Sequence, residues 1–162
     1  MGEFPASVSY VRVLEGRIKE VMREYETLRL VKSEDLNHHG TLFAARAAAW
    51  LIEAGFAVAA CEHGNTDELV LRNLHNMSFS KPIKKGTVVR FLSRVVYVGT
   101  TSMIVSVVAK DALTGEKAVE AFITFVTIDA ATGGKLAHNV VLDEAFDEEE
   151  KRLRQQALEL RK

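Results

Sequence analysis

The spacing of apolar positions changes twice along the chain. From Thr41 to Glu62 they recur every three or four residues, and Phe43, Ala47, Trp50, Ala54 and Val58 define one face of a long helix. Ahead of it, Leu14, Ile18, Val21, Met22 and Tyr25 fit helical spacing, while Tyr25, Thr27, Arg29 and Val31 alternate. This predicts a short helix followed by a strand near 24–31. After the long helix the period falls to two. Leu69 to Phe79, Val88 to Val98, Met103 to Ala109 and the apolar run from Ala118 to Ile128 read as four strands. Turn chemistry separates them: Lys81-Pro82 with Lys84-Lys85-Gly86, then Gly99-Thr100-Thr101, then Asp111 to Gly115. Asp129 to His138 reads as a loop. A charged helix follows at about 143–162, with Phe146, Leu153, Ala157 and Leu160 as a narrow apolar stripe.

The expected order is a strand, a long helix and four strands whose short connections make them antiparallel neighbours. This is an α+β domain with the helix packed on one face of a sheet. The helix is slim. Nine alanines lie between Thr41 and Cys61, and Gly55 sits in the middle, so backbones can approach it closely. An exposed helix would carry more charge on its outer side.

Composition narrows the classes. At 162 residues, 48% apolar and 27% charged, the chain matches one ordinary globular domain rather than a disordered segment. A net charge of -1 gives no electrostatic footprint for nucleic acid. Cys61 is the single cysteine, so there is no internal disulfide framework, and a reducing cytoplasmic setting is expected. No apolar leader follows Met1 to Ala6, and Arg46 and Glu53 interrupt the longest apolar stretch, so neither a secretory signal nor a membrane span is expected. No repeat or linker divides the chain.

Chemistry concentrates before and within the long helix. The stretch Asp35-Leu36-Asn37-His38-His39-Gly40-Thr41 runs into a helix N-terminus, where unpaired N–H groups can polarise a carbonyl oxygen. Glu53 stands alone in the apolar stretch Trp50-Leu51-Ile52-Glu53-Ala54-Gly55. It is a candidate base, or else a salt-bridging acid with a partner such as Arg46. Asn37 reads equally as a turn residue. His38 and His39 lack companion ligands, and no metal or cofactor is expected. Lys81, Lys84, Lys85, Arg90 and Arg94 are cations that could meet phosphates or simply be solvated.

Four stretches together carry a family resemblance: Leu36-Asn37-His38-His39-Gly40-Thr41-Leu42-Phe43; Trp50 to Gly55; Phe79-Ser80-Lys81-Pro82-Ile83 with Lys85-Gly86; and Val98-Gly99-Thr100-Thr101-Ser102-Met103. In that order, over roughly 25–128, the chain resembles the hotdog-fold acyl-CoA thioesterases. The resemblance implies an antiparallel sheet wrapped around one long central helix in a single domain, 1–162. The first 23 or so residues would be an extension, and the C-terminal helix would be an addition. It implies hydrolysis of acyl-CoA to a free acid and CoA without a cofactor, and a homodimer as the minimal active unit, often assembled further to a tetramer or hexamer. Asn37 would come from one subunit and the helix carboxylate, Glu53, from the other. Glu53 would act as base or nucleophile, Asn37 would orient water or the carbonyl, and the Gly40 N–H would face the thioester oxygen. Thr101 and Ser102 would lie on the substrate side, with Lys81, Lys84, Lys85 and Arg90 toward the CoA phosphates.

Two departures stand out. Ala44-Ala45 replaces the family's Gly-Gly pair. Ile52 occupies the usual catalytic Asp position, and Glu53 lies one residue later, about 100° around the helix. A module that binds acyl-CoA without cleaving it is therefore an alternative. A hotdog dehydratase using His39 and Glu53 is a more distant one.

Overall fold

The computed structural model of the protein describes residues 11–14, 17–20, 24–145 and 147–161. Its centre is a five-stranded antiparallel sheet. The strands are β3 (Tyr25–Leu30), β4 (Leu69–Phe79), β5 (Val88–Val98), β6 (Ser102–Asp111) and β7 (Lys117–Thr127), in the spatial order β3-β5-β6-β7-β4. Helix α1 (Ala44–His63) covers one face and helix α2 (Glu148–Leu160) packs on the other.

Alternation along the strands builds the core. Phe91 and Val95 of β5, Val105 and Val107 of β6, and Ile123 and Phe125 of β7 point to the α1 face and are buried. They meet Ala47, Trp50, Leu51, Ala54, Val58 and Ala59 of α1. Trp50 stands edge-on to Phe91 with ring centroids 6.3 Å apart, and Phe56 to Phe125 at 5.9 Å. Gly55 sets the closeness of this packing. A Cβ there would lie 2.8 Å from Ile123 Cδ1 and 3.4 Å from Val107 Cγ2. By length and composition α1 could cross a membrane, but its buried stripe lies against the sheet. Gly64 stops it with φ +89°, its N–H bonded to the Ala60 carbonyl at 2.7 Å. On the opposite face Leu153 and Ala157 of α2 pack on Val96, Ile104 and Phe122.

The structure corrects two expectations and trims others. No helix forms over the described part of the N-terminal segment: β1 (Val11–Leu14) and β2 (Arg17–Glu20) pair as antiparallel strands. The β-branched residues Val11, Val13 and Ile18 favour that outcome. The rest of the expected short helix and of the extension at 1–23 lies outside the described residues. The second correction is that β4 and β5 are not neighbours. Both sides of β5 are taken by β3 and β6, so β4 pairs with β7 at the far edge. Three strand spacings of about 4.8 Å separate β4 from β5, well within reach of an eight-residue link. The long helix begins at Ala44 rather than Thr41, because Leu42 and Thr41 bridge to Leu36 and Lys84. The last helix is shorter than expected, and Phe146 lies outside the described residues.

Candidate active site

The loop before α1 is held by one buried acid. Asp35 is only 4% exposed. Its Oδ2 accepts the Lys32 N–H at 2.9 Å, its carbonyl accepts the Phe43 N–H at 2.8 Å, and Arg46 of the first helical turn lies 3.4 Å from Oδ1. Burying a carboxylate costs several kcal/mol unless it is paired, so this geometry fixes both ends of the loop. Asp35 was not singled out by the sequence; its position three residues after Lys32 was the available signal.

Inside the loop Asn37 folds the chain on itself. Its Oδ1 accepts the N–H groups of His39 at 2.9 Å and Thr41 at 3.2 Å, and its Nδ2 donates to Thr41 Oγ1 at 3.2 Å. An amide nitrogen has two protons, so one stays available to a ligand. Gly40 takes φ +76°, a conformation glycine tolerates. Its N–H donates to the Asn37 carbonyl at 3.1 Å. That group closes the turn and does not face open space, which differs from the role expected for it. The open donors lie further on. Ala44, Ala45 and Arg46 are exposed, and the first N–H groups of a helix have no partner within it. His38 and His39 stack on each other at 3.9 Å and are exposed.

The Leu42 N–H donates to the Ile83 carbonyl at 2.7 Å, which brings the Lys81-Pro82 turn against this loop. Between them lies a groove of about 320 Å³ lined by Asn37, Thr41, Ala44, Phe79, Lys81 and Pro82, among others. The structure thus unites Asn37, the start of α1 and Lys81. The Lys81 ammonium is ion-paired with Glu116. Lys84 lines an adjoining groove of about 320 Å³ with Lys81 and Lys110. Lys85 is exposed in the turn.

Other expected site residues lie elsewhere. Glu53 sits nine residues into α1, about 13 Å along the axis from Ala44. Its carboxylate is exposed and ion-paired with Arg29 of β3, whose guanidinium lies 5.3 Å from the centre of the Trp50 ring. Arg29 was missed in sequence because an alternating strand gives no hint of its partner. Ile52 faces the core edge instead. Arg90 lies on the face of β5 turned away from α1 and pairs with Glu26 at 3.2 Å. It does not join Lys81 and Lys84, because alternation puts residue 90 opposite Val89 and Phe91. Arg94 likewise pairs with Glu24 at 2.6 Å. Thr101 and Ser102 line a groove of about 610 Å³ at the other end of the sheet. Arg72 and Phe79, which mark the two ends on β4, are seven residues or about 23 Å apart.

Comparison with known proteins supports the fold. Residues 39–117 match the model of the thioesterase superfamily. An uncharacterized acyl-CoA thioester hydrolase, YkhA of Bacillus subtilis, is 33% identical over 100 residues, 59% of this chain and 57% of that relative. The chain therefore matches little more than half of that protein's length. Among solved structures, the acyl-CoA hydrolase of Staphylococcus aureus in complex with butyryl coenzyme A, coenzyme A and coenzyme A disulfide is 28% identical. It covers 84% of this chain and 82% of its own, with a TM-score of 0.74. An apo-hexameric acyl-CoA thioesterase is 28% identical, covering 84% and 86% with a TM-score of 0.71. The matched segment spans the end of the Asn37 loop, α1 and three sheet strands; over it the chain is similar to the thioesterase superfamily, and its fold is the hotdog fold.

Proposed function

We propose that the protein hydrolyses an acyl-CoA thioester, in a site completed by two copies of the chain. The observation that carries this reading is the separation of Asn37 from Glu53. Both would have to lie within hydrogen-bond reach of one carbonyl or its attacking water, yet within one chain about 13 Å of helix lies between Ala44, which lines the groove with Asn37, and Glu53. The outward face of α1 suits a second copy: Ala45, Ala49, Glu53, Ala57 and Cys61 fall four residues apart and all are exposed. A second slim helix can approach such a face closely. The names of the similar proteins, acyl-CoA hydrolases, support the substrate class, and one of them is hexameric.

In this reading the Glu53 carboxylate of one copy removes a proton from water as its oxygen attacks the thioester carbon. Asn37 Nδ2 of the other copy, with the open N–H groups of Ala44 and Ala45, holds the oxygen that becomes negative. The carbon–sulfur bond then breaks, and the CoA thiolate leaves and takes up a proton. Arg29 holds the Glu53 carboxylate in a defined position. Lys81 and Lys84 flank the groove where a phosphorylated tail would leave it.

The test is thiol release from a panel of acyl-CoA chain lengths. Turnover on at least one chain length, reduced about 10²–10⁴-fold in Glu53→Ala, is the expected result. Full activity in that variant would remove Glu53 from the mechanism. A second reading is favoured by one observation: the position expected to hold the carboxylate is Ile52, packed on the core, and Glu53 is held by Arg29. A module that binds acyl-CoA without cleaving it would show saturable binding and no thiol release on any chain.

A further inference from the structure

Strand β3 and helix α1 are joined at two places. Tyr25 Oη donates to Glu62 Oε1 at 2.7 Å, and Arg29 is ion-paired with Glu53. Four residues of extended strand separate Tyr25 from Arg29, about 13 Å. Nine residues of helix separate Glu53 from Glu62, also about 13 Å. The two rises match, so β3 runs antiparallel to α1 and sets its side chains opposite the helix acids in register. Alternation brings Tyr25 and Arg29 to the α1 side, while Leu28 and Leu30 point to the other face and are exposed.

Arg29 is held from two sides. Its guanidinium carbon is 5.3 Å from the centre of the Trp50 ring, within the range of cation–π attraction. Trp50 is buried and stands edge-on to Phe91, so this platform belongs to the core. Trp50 and Glu53 lie three residues apart and are neighbours on the helix surface. One guanidinium therefore reaches a fixed ring and a carboxylate together. The Arg29 and Glu53 side chains are 43% and 59% exposed. A pair this exposed adds little to folding stability. What it does is remove the rotamer freedom that an exposed glutamate otherwise keeps, since the planar guanidinium presents its donors in a rigid fork.

We propose that Arg29, resting on Trp50, is a positioning residue that sets the rate of thioester cleavage through Glu53, without touching the substrate. This rests on Glu53 being the base that activates water. A reacting group displaced by about 1 Å loses about a hundredfold in rate. The rigid ring behind Arg29 and the matched rise of β3 and α1 keep the carboxylate from drifting. Ring, guanidinium and carboxylate all belong to one copy of the chain, so this half of the site is preset before a second copy brings Asn37.

Steady-state thiol release from acyl-CoA is measured beside the emission of Trp50, the single tryptophan of the chain. Arg29→Ala is expected to lower kcat about 10–100-fold with KM changed less than about twofold, and to shift the Trp50 emission. Equal thermal midpoints separate that loss from a loss of fold. Arg29→Lys, which keeps the charge without the planar fork, should restore part of kcat. In a Glu53→Ala background Arg29→Ala should cause no further loss, whereas independent roles would multiply. Arg152→Ala, at an exposed arginine paired with Glu149 on α2, should match the wild type in rate and emission. Unchanged kcat or unchanged emission in Arg29→Ala would overturn the proposal, as would a further loss in the double variant. A wild-type protein that releases no thiol, or full activity in Glu53→Ala, would overturn the role of Glu53 itself and this proposal with it.

Discussion

The two sides of α1 are made of the same kinds of residue and have opposite fates. The side toward the sheet carries Ala47, Ala54, Gly55 and Ala59 beside Trp50 and Leu51, and all are buried. The side away from it carries Ala45, Ala49, Ala57 and Cys61 around Glu53, and all are exposed. Small residues serve the first side by letting helix and sheet backbones come close: a Cβ at Gly55 would lie only 2.8 Å from Ile123 Cδ1. On the second side none of the described residues takes advantage of the same slimness. An alanine-rich surface whose one acid is held by an exposed ion pair to Arg29 suits contact between copies, and this is why we assign it there.

The contrast can be broken first at the buried side. Phe125→Ala, fully buried and edge-on to Phe56, should lower the free energy of unfolding by about 3–5 kcal/mol in a denaturant titration. Gly55→Val should cost about 1–3 kcal/mol by overpacking against Ile123 and Val107. On the exposed side Arg29→Ala removes an ion pair in which both side chains are about half exposed, so stability should change by no more than about 1 kcal/mol. Ala49→Arg should change the stability of the isolated chain by less than about 0.5 kcal/mol. The same substitution should shift sedimentation toward the single chain, because the long cation cannot fit between two close helices. Unaltered assembly in Ala49→Arg would place the contact between copies on another face.

The sequence was most informative where packing follows a simple period. The alternation of Met103, Val105, Val107 and Ala109 located β6, and the three-to-four spacing from Ala47 to Val58 located α1 and its buried side. It failed where the outcome depends on partners distant in sequence. The link from Ser80 to Thr87 looks like a hairpin turn, and only the occupation of both sides of β5 sends β4 to the far edge. The N-terminal segment satisfies helical and strand spacing together, and pairing of Leu14 with Arg17 decides between them.

The candidate site divides in the same way. Asn37, a candidate from its loop, and Lys81, a candidate from its charge, line one groove. The ion pairs that redirect Arg90 to Glu26 and Glu53 to Arg29 span more than twenty residues of sequence. No local pattern reports them. The buried acid Asp35, which anchors the loop, likewise acts through Arg46 in the first turn of α1.

We propose that one catalytic site draws Asn37 and Glu53 from different copies. Mixing Asn37→Ala with Glu53→Ala, after dissociation and reassembly, tests it most directly. A hybrid dimer would then hold one site lacking both groups and one intact site. Each variant alone should release almost no thiol from acyl-CoA. The reassembled mixture should recover about a quarter of wild-type activity, since about half of two-fold dimers are hybrids with one of two sites intact. A mixture no more active than its two components would contradict a site shared between copies.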